Sequence, residues 1–388
     1  MRILPQYCGI ADVLSNKKET KFKTICIFAK NWFMNKIEKT LLNLEGKGIN
    51  LFNDNVENLY DFWEAPNIII SDGAYGVLGF KGDTVSSDEL PKWYENHIKE
   101  WSKKAEAGTT LWFWNTEIGF AKVHPILEKY GWDYVSCNVW NKGIQHIAGN
   151  CNLKVLKSYP VVTEVCVQYV KKPKFVIDGI ELTLKDWLRN EWSRAGLTLH
   201  QANEACDIAN AASRKYLTKD HLWYAPPPEH FENLVRYANQ FGKTTNIPYF
   251  SINGREPLSR QVYANLFPTF NGKYGITNVW EVPPLHTKER IKVNGGTKYF
   301  HLNQKPLKLM ELIISSSTNA NAVIWEPFGG LFSASVAAYM LERKIYAAEI
   351  DETIFEMGVS RFSTLEKKQQ EQLFEISSKD IFEHYGSN

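Results

Sequence analysis

Residues 321–338 read NAVIWEPFGGLFSASVAA, and the fold is decided there. An apolar run ending at Trp325 has the length of a short buried strand. It stops at Glu326-Pro327-Phe328-Gly329-Gly330, and a helix rich in small residues is expected from Ser333. Glycines let the backbone approach a ligand closely, and the first turn of a helix offers free N–H donors. The next apolar run, KIYAAE at 344–349, ends on Glu349. An acidic side chain about 20 residues beyond such a turn can accept hydrogen bonds from ribose hydroxyls. A plain strand-to-helix turn carries the same glycines, so this stretch alone leaves a nucleoside site and a structural turn both open.

Outward from this stretch, strands and helices alternate. A helix is expected at 304–317, another at 333–342 and a third at 352–363, with strands at 321–325 and 344–349. Toward the N-terminus the reading gives a strand at 23–29 and a helix-like stretch at 31–45. It continues with a strand at 67–70, a helix at 88–106 and a strand at 109–114. A helix near 120–130 and strands at 134–140 and 161–170 follow. That alternation implies a mostly parallel, doubly wound α/β sheet. From about 175 to 280 the pattern breaks into Arg- and Trp-bearing loops and the run Pro226-Pro227-Pro228, as an insert would. Trp112 and Trp114 alternate on one strand and are expected in the core. The stretch 221–228 (HLWYAPPP) is expected to be a rigid connector.

Length and composition set outer limits. A chain of 388 residues is too long for one compact core and suggests two domains or one domain with an insertion. The net charge of +2 does not announce a polyanion partner, so a nucleic-acid site has to come from local arrangement. The cysteines at 8, 26, 137, 151, 166 and 206 are scattered without a CxxC pair. This argues against a disulfide framework or a metal site and for free thiols in a reducing cytoplasm. No apolar run approaches membrane-spanning length, and the N-terminus lacks a signal-peptide pattern.

A second motif follows the strand 68–70. Asp72-Gly73-Ala74-Tyr75 places a carboxylate and an aromatic ring where open α/β sheets hold their reacting groups. Asp and Gly are also ordinary turn residues. Taken together, these segments resemble the DNA amino-methyltransferases of the beta class, which act on adenine N6 or cytosine N4. In that family the catalytic motif precedes a target-recognition region, and the cofactor motifs come last. Residues 68–76 (IIISDGAYG) are similar to its strand followed by Asp-Pro-Pro-Tyr. Residues 299–312 resemble its His-x-Thr-Gln-Lys-Pro helix start, and 323–338 its Asp-Pro-Phe-x-Gly-x-Gly motif. Residues 51–59 resemble the segment before the catalytic motif.

The resemblance implies a circularly permuted, Rossmann-like methyltransferase sheet with S-adenosylmethionine as cofactor and double-stranded DNA as substrate. It also implies a cognate restriction endonuclease as a possible partner. It divides the chain into a catalytic half (1–174), a mainly helical recognition insert (175–285) and a cofactor half (286–388). Asp72, Gly73, Ala74 and Tyr75 become the catalytic set. Asp54, His301, Gln304, Lys305, Pro306, Glu326, Phe328, Gly330 and Glu349 become the cofactor set. Lys305 and Pro306 would border the methionine end, Glu349 the ribose, and Asp54 and Phe328 the adenine. An exocyclic amine is a poor nucleophile until fixed acceptors draw its lone pair out of the ring, and Asp72 with the Gly73 carbonyl would be those acceptors. The base must leave the duplex to be reached, and Tyr75 would stack on it. Asp at the first position of the tetrapeptide favours adenine.

Three positions depart from the family pattern. Gly73 and Ala74 replace two prolines, Glu326 stands where Asp is usual, and Phe332 stands where a glycine is usual. These departures keep alive a second reading, a DNA-binding protein whose methyltransferase core is inactive. A third, an RNA methyltransferase, is disfavoured by residues 192–218, which read as a helix-turn-helix. There Thr198 is the expected N-cap, and Leu199, Ala202 and Cys206 form one apolar face, with Ile208, Ala212 and Tyr216 the other. Asn210, Ser213, Arg214 and Lys215 would then face DNA. A nicotinamide dehydrogenase is disfavoured because no GxGxxG occurs.

Overall fold

A computed structural model describes residues 41–44, 48–77, 83, 85–147, 156–177, 179–285, 289–291, 304–362 and 364–365. The expected strand at 23–29 lies outside them, as does most of the expected helix at 31–45. The part of that helix that is described, Leu41–Leu44, is instead a strand, β1. It pairs antiparallel with β2 (Ile49–Phe52), so pairing with a neighbouring strand overrides the local helical pattern.

The remaining sheet strands are β3 (Ile68–Ser71), β4 (Thr110–Asn115), β5 (Trp132–Asn141), β6 (Thr163–Lys171), β9 (Val279–Glu281), β10 (Val323–Glu326) and β11 (Lys344–Ala348). They lie in the order β1-β2-β11-β10-β3-β4-β6-β5-β9. The run β2-β11-β10-β3-β4 is parallel throughout, whereas β6 runs antiparallel to both its neighbours.

The sheet is covered on both faces, and side chains alternate between them. Ile68, Ile70, Trp112, Trp114 and Ile324 pack with α7 (Leu307–Ser317) and α8 (Ser333–Met340). Ile69, Leu111, Phe113, Val323 and Trp325 pack with α1 (Leu90–Lys104) and α2 (Glu117–Lys129). Both expected core tryptophans are therefore buried. A further helix spans 352–362.

The chain moves outward in opposite directions from β3 and from β10, which are hydrogen-bonded neighbours. That pair is the topological switch point, where open α/β sheets leave a crevice at their carboxyl ends. The fold is thus a Rossmann-like sheet in the circularly permuted order that the resemblance implied. The glycine-rich segment reaches its centre from the end of the chain, and Asp72 reaches it from the beginning.

Residues from Phe175 to Leu266 pack around a separate core, built from a hairpin (β7, Phe175–Ile177; β8, Ile180–Leu182) and four helices. These are α3 (Leu184–Arg194), α4 (Leu199–Cys206), α5 (Pro228–Phe241) and α6 (Arg260–Ala264). Trp187, Trp192, Phe231 and Tyr263 fill it, with Phe231 and Tyr263 stacked 3.8 Å apart. Glu191 is buried within it, pairs with Arg194 at 2.7 Å and accepts from the Phe250 N–H at 2.6 Å. The insert expected at 175–285 holds one segment that rejoins the main sheet, since β9 pairs with β5. Among the described residues, no helix is long and apolar enough to cross a membrane.

Candidate active site

A cavity of about 720 Å³ opens at the carboxyl ends of the central strands, lined by Asp54 after β2, Asp72 after β3, Glu326 to Gly330 at and after β10, and Glu349 after β11. All four members of the expected catalytic set line it, as do Gln304 and Lys305. His301 lies outside the described residues.

The loop after β3 lacks the two prolines of the resembled motif, and side chains hold it instead. The Ala74 carbonyl accepts from the Tyr94 hydroxyl and from Asn115 Nδ2, each at 2.9 Å. The backbone N–H groups of Tyr75 and Val77 both donate to Asp83 Oδ2 at 3.0 Å. Gly73 fits closely, because a Cβ there would lie 2.7 Å from the Phe328 ring and 3.0 Å from the Tyr94 hydroxyl. Its lack of a side chain leaves room for Phe328.

Asp72 is the end of a chain of alternating charges. Lys305 Nζ donates to both its oxygens, at 2.8 and 2.9 Å, and the Tyr75 hydroxyl donates to Oδ1 at 2.7 Å. The same ammonium lies 3.6 Å from Glu164 Oε1, and Lys142 Nζ lies 3.0 Å from Glu164 Oε2. The Lys305 side chain is 3% exposed. Burial pulls its pKa down, but Asp72 and Glu164 outweigh this and raise it overall, so the ammonium persists. Burial pushes the Glu164 carboxyl up, and Lys305 and Lys142 bring it below its usual value. Burial, then the charges of Asp72 and Glu164, push the Tyr75 hydroxyl well up, so it remains a donor.

Glu164 and Lys142 did not stand out in the sequence. A lone carboxylate inside the apolar run 161–170 was the available signal. Lys305, which the family resemblance set beside the cofactor, lines the cavity, and its ammonium is engaged by Asp72.

The other end of the cavity uses backbone donors. Glu326 is buried, and its two oxygens accept from the N–H groups of Ala334 at 3.0 Å and Ser335 at 2.8 Å and from the Ser335 hydroxyl. Its longer arm therefore caps α8 while the residue still lines the cavity. Burial lifts its pKa to about 7. Glu349 accepts from Gly330 N–H and Asp351 N–H, each at 2.8 Å, and still lines the cavity.

Phe332 adopts a left-handed conformation with φ of 55°, as the glycine of the resembled motif could without strain. Its buried ring occupies space that only glycine leaves open, since a Cβ on Gly329 or Gly358 would lie 2.2 or 2.6 Å from it. Gln304 pairs its amide with residues 289 and 291, and Pro306 is the N-cap residue of α7, so the two flank Lys305 with fixed backbone. Asp54 Oδ1 accepts from Asn55 N–H and Asn58 Nδ2 at 2.7 and 3.0 Å. Trp93 and His97 on α1 pack against Phe328, which the sequence reading missed.

A family model described as DNA methylase matches residues 60–360. The chain belongs to that family. S-adenosylmethionine is the cofactor of this family. The chain is 28% identical to DNA adenine methyltransferase YhdJ of Escherichia coli strain K12 over 102 residues, 26% of this chain and 33% of that protein. It is 29% identical to type II methyltransferase M2.MboI of Moraxella bovis over 142 residues, 35% of this chain and 45% of that protein. The chain therefore spans less than half the length of these curated relatives. Among solved structures, a PvuII cytosine-N4-specific DNA methyltransferase aligns over 81% of this chain and 86% of its own, at 11% identity and a TM-score of 0.44.

The helix-turn-helix expectation holds in part. Thr198 and Gln201 form a capping box at the start of α4, and Ala202 and Cys206 are buried. Leu199, expected on the apolar face, is instead 51% exposed because it sits at the open N-terminal turn. The second helix is a short π-type turn, Ala212–Tyr216. Asn210 and Arg214 are exposed and Lys215 is half-buried. Ser213 is engaged internally by Asn203 and the Asn210 carbonyl, so it is not a free contact.

Proposed function

We propose that this chain transfers a methyl group from S-adenosylmethionine to the exocyclic amine of a DNA base, adenine N6 in the first instance. The arrangement of acceptors on Asp72 carries the reading. A carboxylate offers about four lone-pair sites. Lys305 and Tyr75 take both on Oδ1, and Lys305 takes one on Oδ2, leaving one Oδ2 site for an amine hydrogen. Among the described residues no donor reaches the Gly73 carbonyl, which would take the second amine hydrogen.

The cavity's other groups fit the cofactor. Glu349 would hold the ribose hydroxyls, Phe328 would lie against the adenine, and the Gly329-Gly330 backbone allows close approach. When bound, S-adenosylmethionine supplies an electrophilic methyl group on sulfonium. Asp72 orients the amine lone pair and accepts its proton, while Lys305, itself held by Glu164, fixes the carboxylate in place.

We assign DNA reading to the segment 175–285, with Asn210, Arg214 and Lys215 as the contacts. In that role, replacing Arg214 and Lys215 together by Ala lowers the log–log salt slope of DNA binding by about one unit for each phosphate no longer neutralised. Two named relatives support a role beside a restriction endonuclease, since M2.MboI and M.HindIII are type II methyltransferases. The deciding experiment uses labelled cofactor and bulk DNA, followed by digestion to nucleosides and mass spectrometry. N6-methyladenine is the expected product. N4-methylcytosine alone overturns the base, and no incorporation favours an inactive DNA-binding protein.

A further inference from the structure

His97 is 5% exposed, lines the cavity and meets Phe328 edge-on at 5.0 Å between ring centroids. Its role follows from where one proton must go. Trp101 Nε1–H donates to the Tyr60 hydroxyl at 2.9 Å, and that hydroxyl lies 3.0 Å from His97 Nδ1. Tyr60 and Trp101 are both buried, so the tyrosine proton needs an acceptor inside the protein. Among the described residues, Nδ1 is the acceptor within its reach. Burial keeps the imidazole neutral, bringing its pKa down to about 4. A neutral ring that accepts at Nδ1 carries its proton on Nε2. That N–H has no partner among the described residues, and it is not among their sealed, unpaired polar atoms. It is a nearly buried donor left available to the cavity.

The surroundings say what it would meet. Phe328 and Trp93 give an aromatic wall, and Asn55 and Val56, from the segment that leads to Tyr60, line the same cavity. Asp72 is engaged by Lys305, which also lies near Glu164 on β6. A single N–H donor at the edge of an aromatic wall suits a heteroaromatic ring with an in-plane nitrogen acceptor.

We propose that His97 is a specificity-determining residue whose Nε2–H, set by the Trp101–Tyr60 relay, donates to a ring nitrogen of the cofactor's purine. The assignment rests on the cofactor reading above. It makes purine recognition depend on one hydrogen bond to a side chain outside every glycine-rich or acidic motif of the chain.

The test is calorimetric titration of the full chain, without DNA, with S-adenosylhomocysteine and its 1-deaza, 3-deaza and 7-deaza analogues. Omitting DNA removes any target base as the source of the effect. One analogue should bind the parent about tenfold more weakly, the loss expected when a buried donor goes unpaired. His97→Leu should bind that analogue and the natural compound alike. Tyr60→Phe, which frees the proton to move to Nδ1, should fall between them. Equal binding of all four compounds by the parent overturns the proposal without requiring any variant to fold. So does His97→Leu that still discriminates. If the parent binds none of them, the cofactor reading itself fails, and this proposal falls with it.

Discussion

The two ends of the cavity hold their carboxylates by different means. At the β10–β11 end, Glu326 and Glu349 accept from backbone N–H groups of Ala334, Ser335, Gly330 and Asp351. At the β3 end, Asp72 and Glu164 are held by the ammonium groups of Lys305 and Lys142, and Lys305 is 233 residues away from Asp72 in the chain. Backbone donors come with the turn and cannot be mutated away. Side-chain cations must be brought in by tertiary packing and can be removed one at a time. The first end is therefore suited to holding a constant ligand, and the second to tuning the charge around a reacting group.

Asp72→Ala gives the largest expected effect. It should reduce kcat for methyl transfer on the order of 10³-fold, while cofactor binding measured by titration changes by a few fold at most. Full activity would remove Asp72 from the chemistry. Lys305→Met comes next, because it leaves two largely buried carboxylates facing each other. A loss of about 3–5 kcal/mol in urea unfolding is expected. The double variant with Glu164→Gln should recover part of it, and no recovery would mean that the two residues do not share the cation.

At the opposite end the contrast is tested by pH. The pKa of Glu326 is raised by burial from 4.5 to about 7, so the folded state keeps the proton longer than the unfolded one. Its contribution to stability is fully present below about pH 4.5 and is lost as pH rises through 7, to a total of about 3 kcal/mol. Glu326→Gln should flatten that part of the profile measured by thermal unfolding between pH 4.5 and 8. An unchanged slope would show that the helix N-terminus holds the charge without cost.

The smallest effect concerns Phe332. Phe332→Ala keeps the left-handed strain and loses the ring, whereas Phe332→Gly loses the ring and relieves the strain. The glycine variant should be the more stable of the two by about 1 kcal/mol in chemical denaturation. The reverse order would show that the backbone there is unstrained.

Much of this architecture is legible because its signals are local. The run Ile68 to Ile70, the glycines after Glu326 and the acidic end of β11 each declare a strand end within a few residues. The N-cap at Thr198 is equally short-range. What escaped the reading was set by contacts distant in the chain. The segment Leu41–Leu44 looked helical and is a strand because β2 lies beside it. Glu326 lines the cavity as expected, and only the fold shows that its oxygens also reach the first turn of α8.

The hydrophobic periods of the strands determined by themselves a mostly parallel α/β sheet with Asp72 at a strand's carboxyl end, and the order of the short motifs carried the resemblance to a permuted methyltransferase. They act through neighbours a few residues apart, and such interactions are written directly in the chain. Only the tertiary structure decided that Lys305 serves Asp72, that Glu164 joins them, and that Tyr60 sets the proton on His97. Each depends on side chains from different strands and helices converging in one low-dielectric cavity, where a charge or a proton must find a partner and the sequence does not say which one is near.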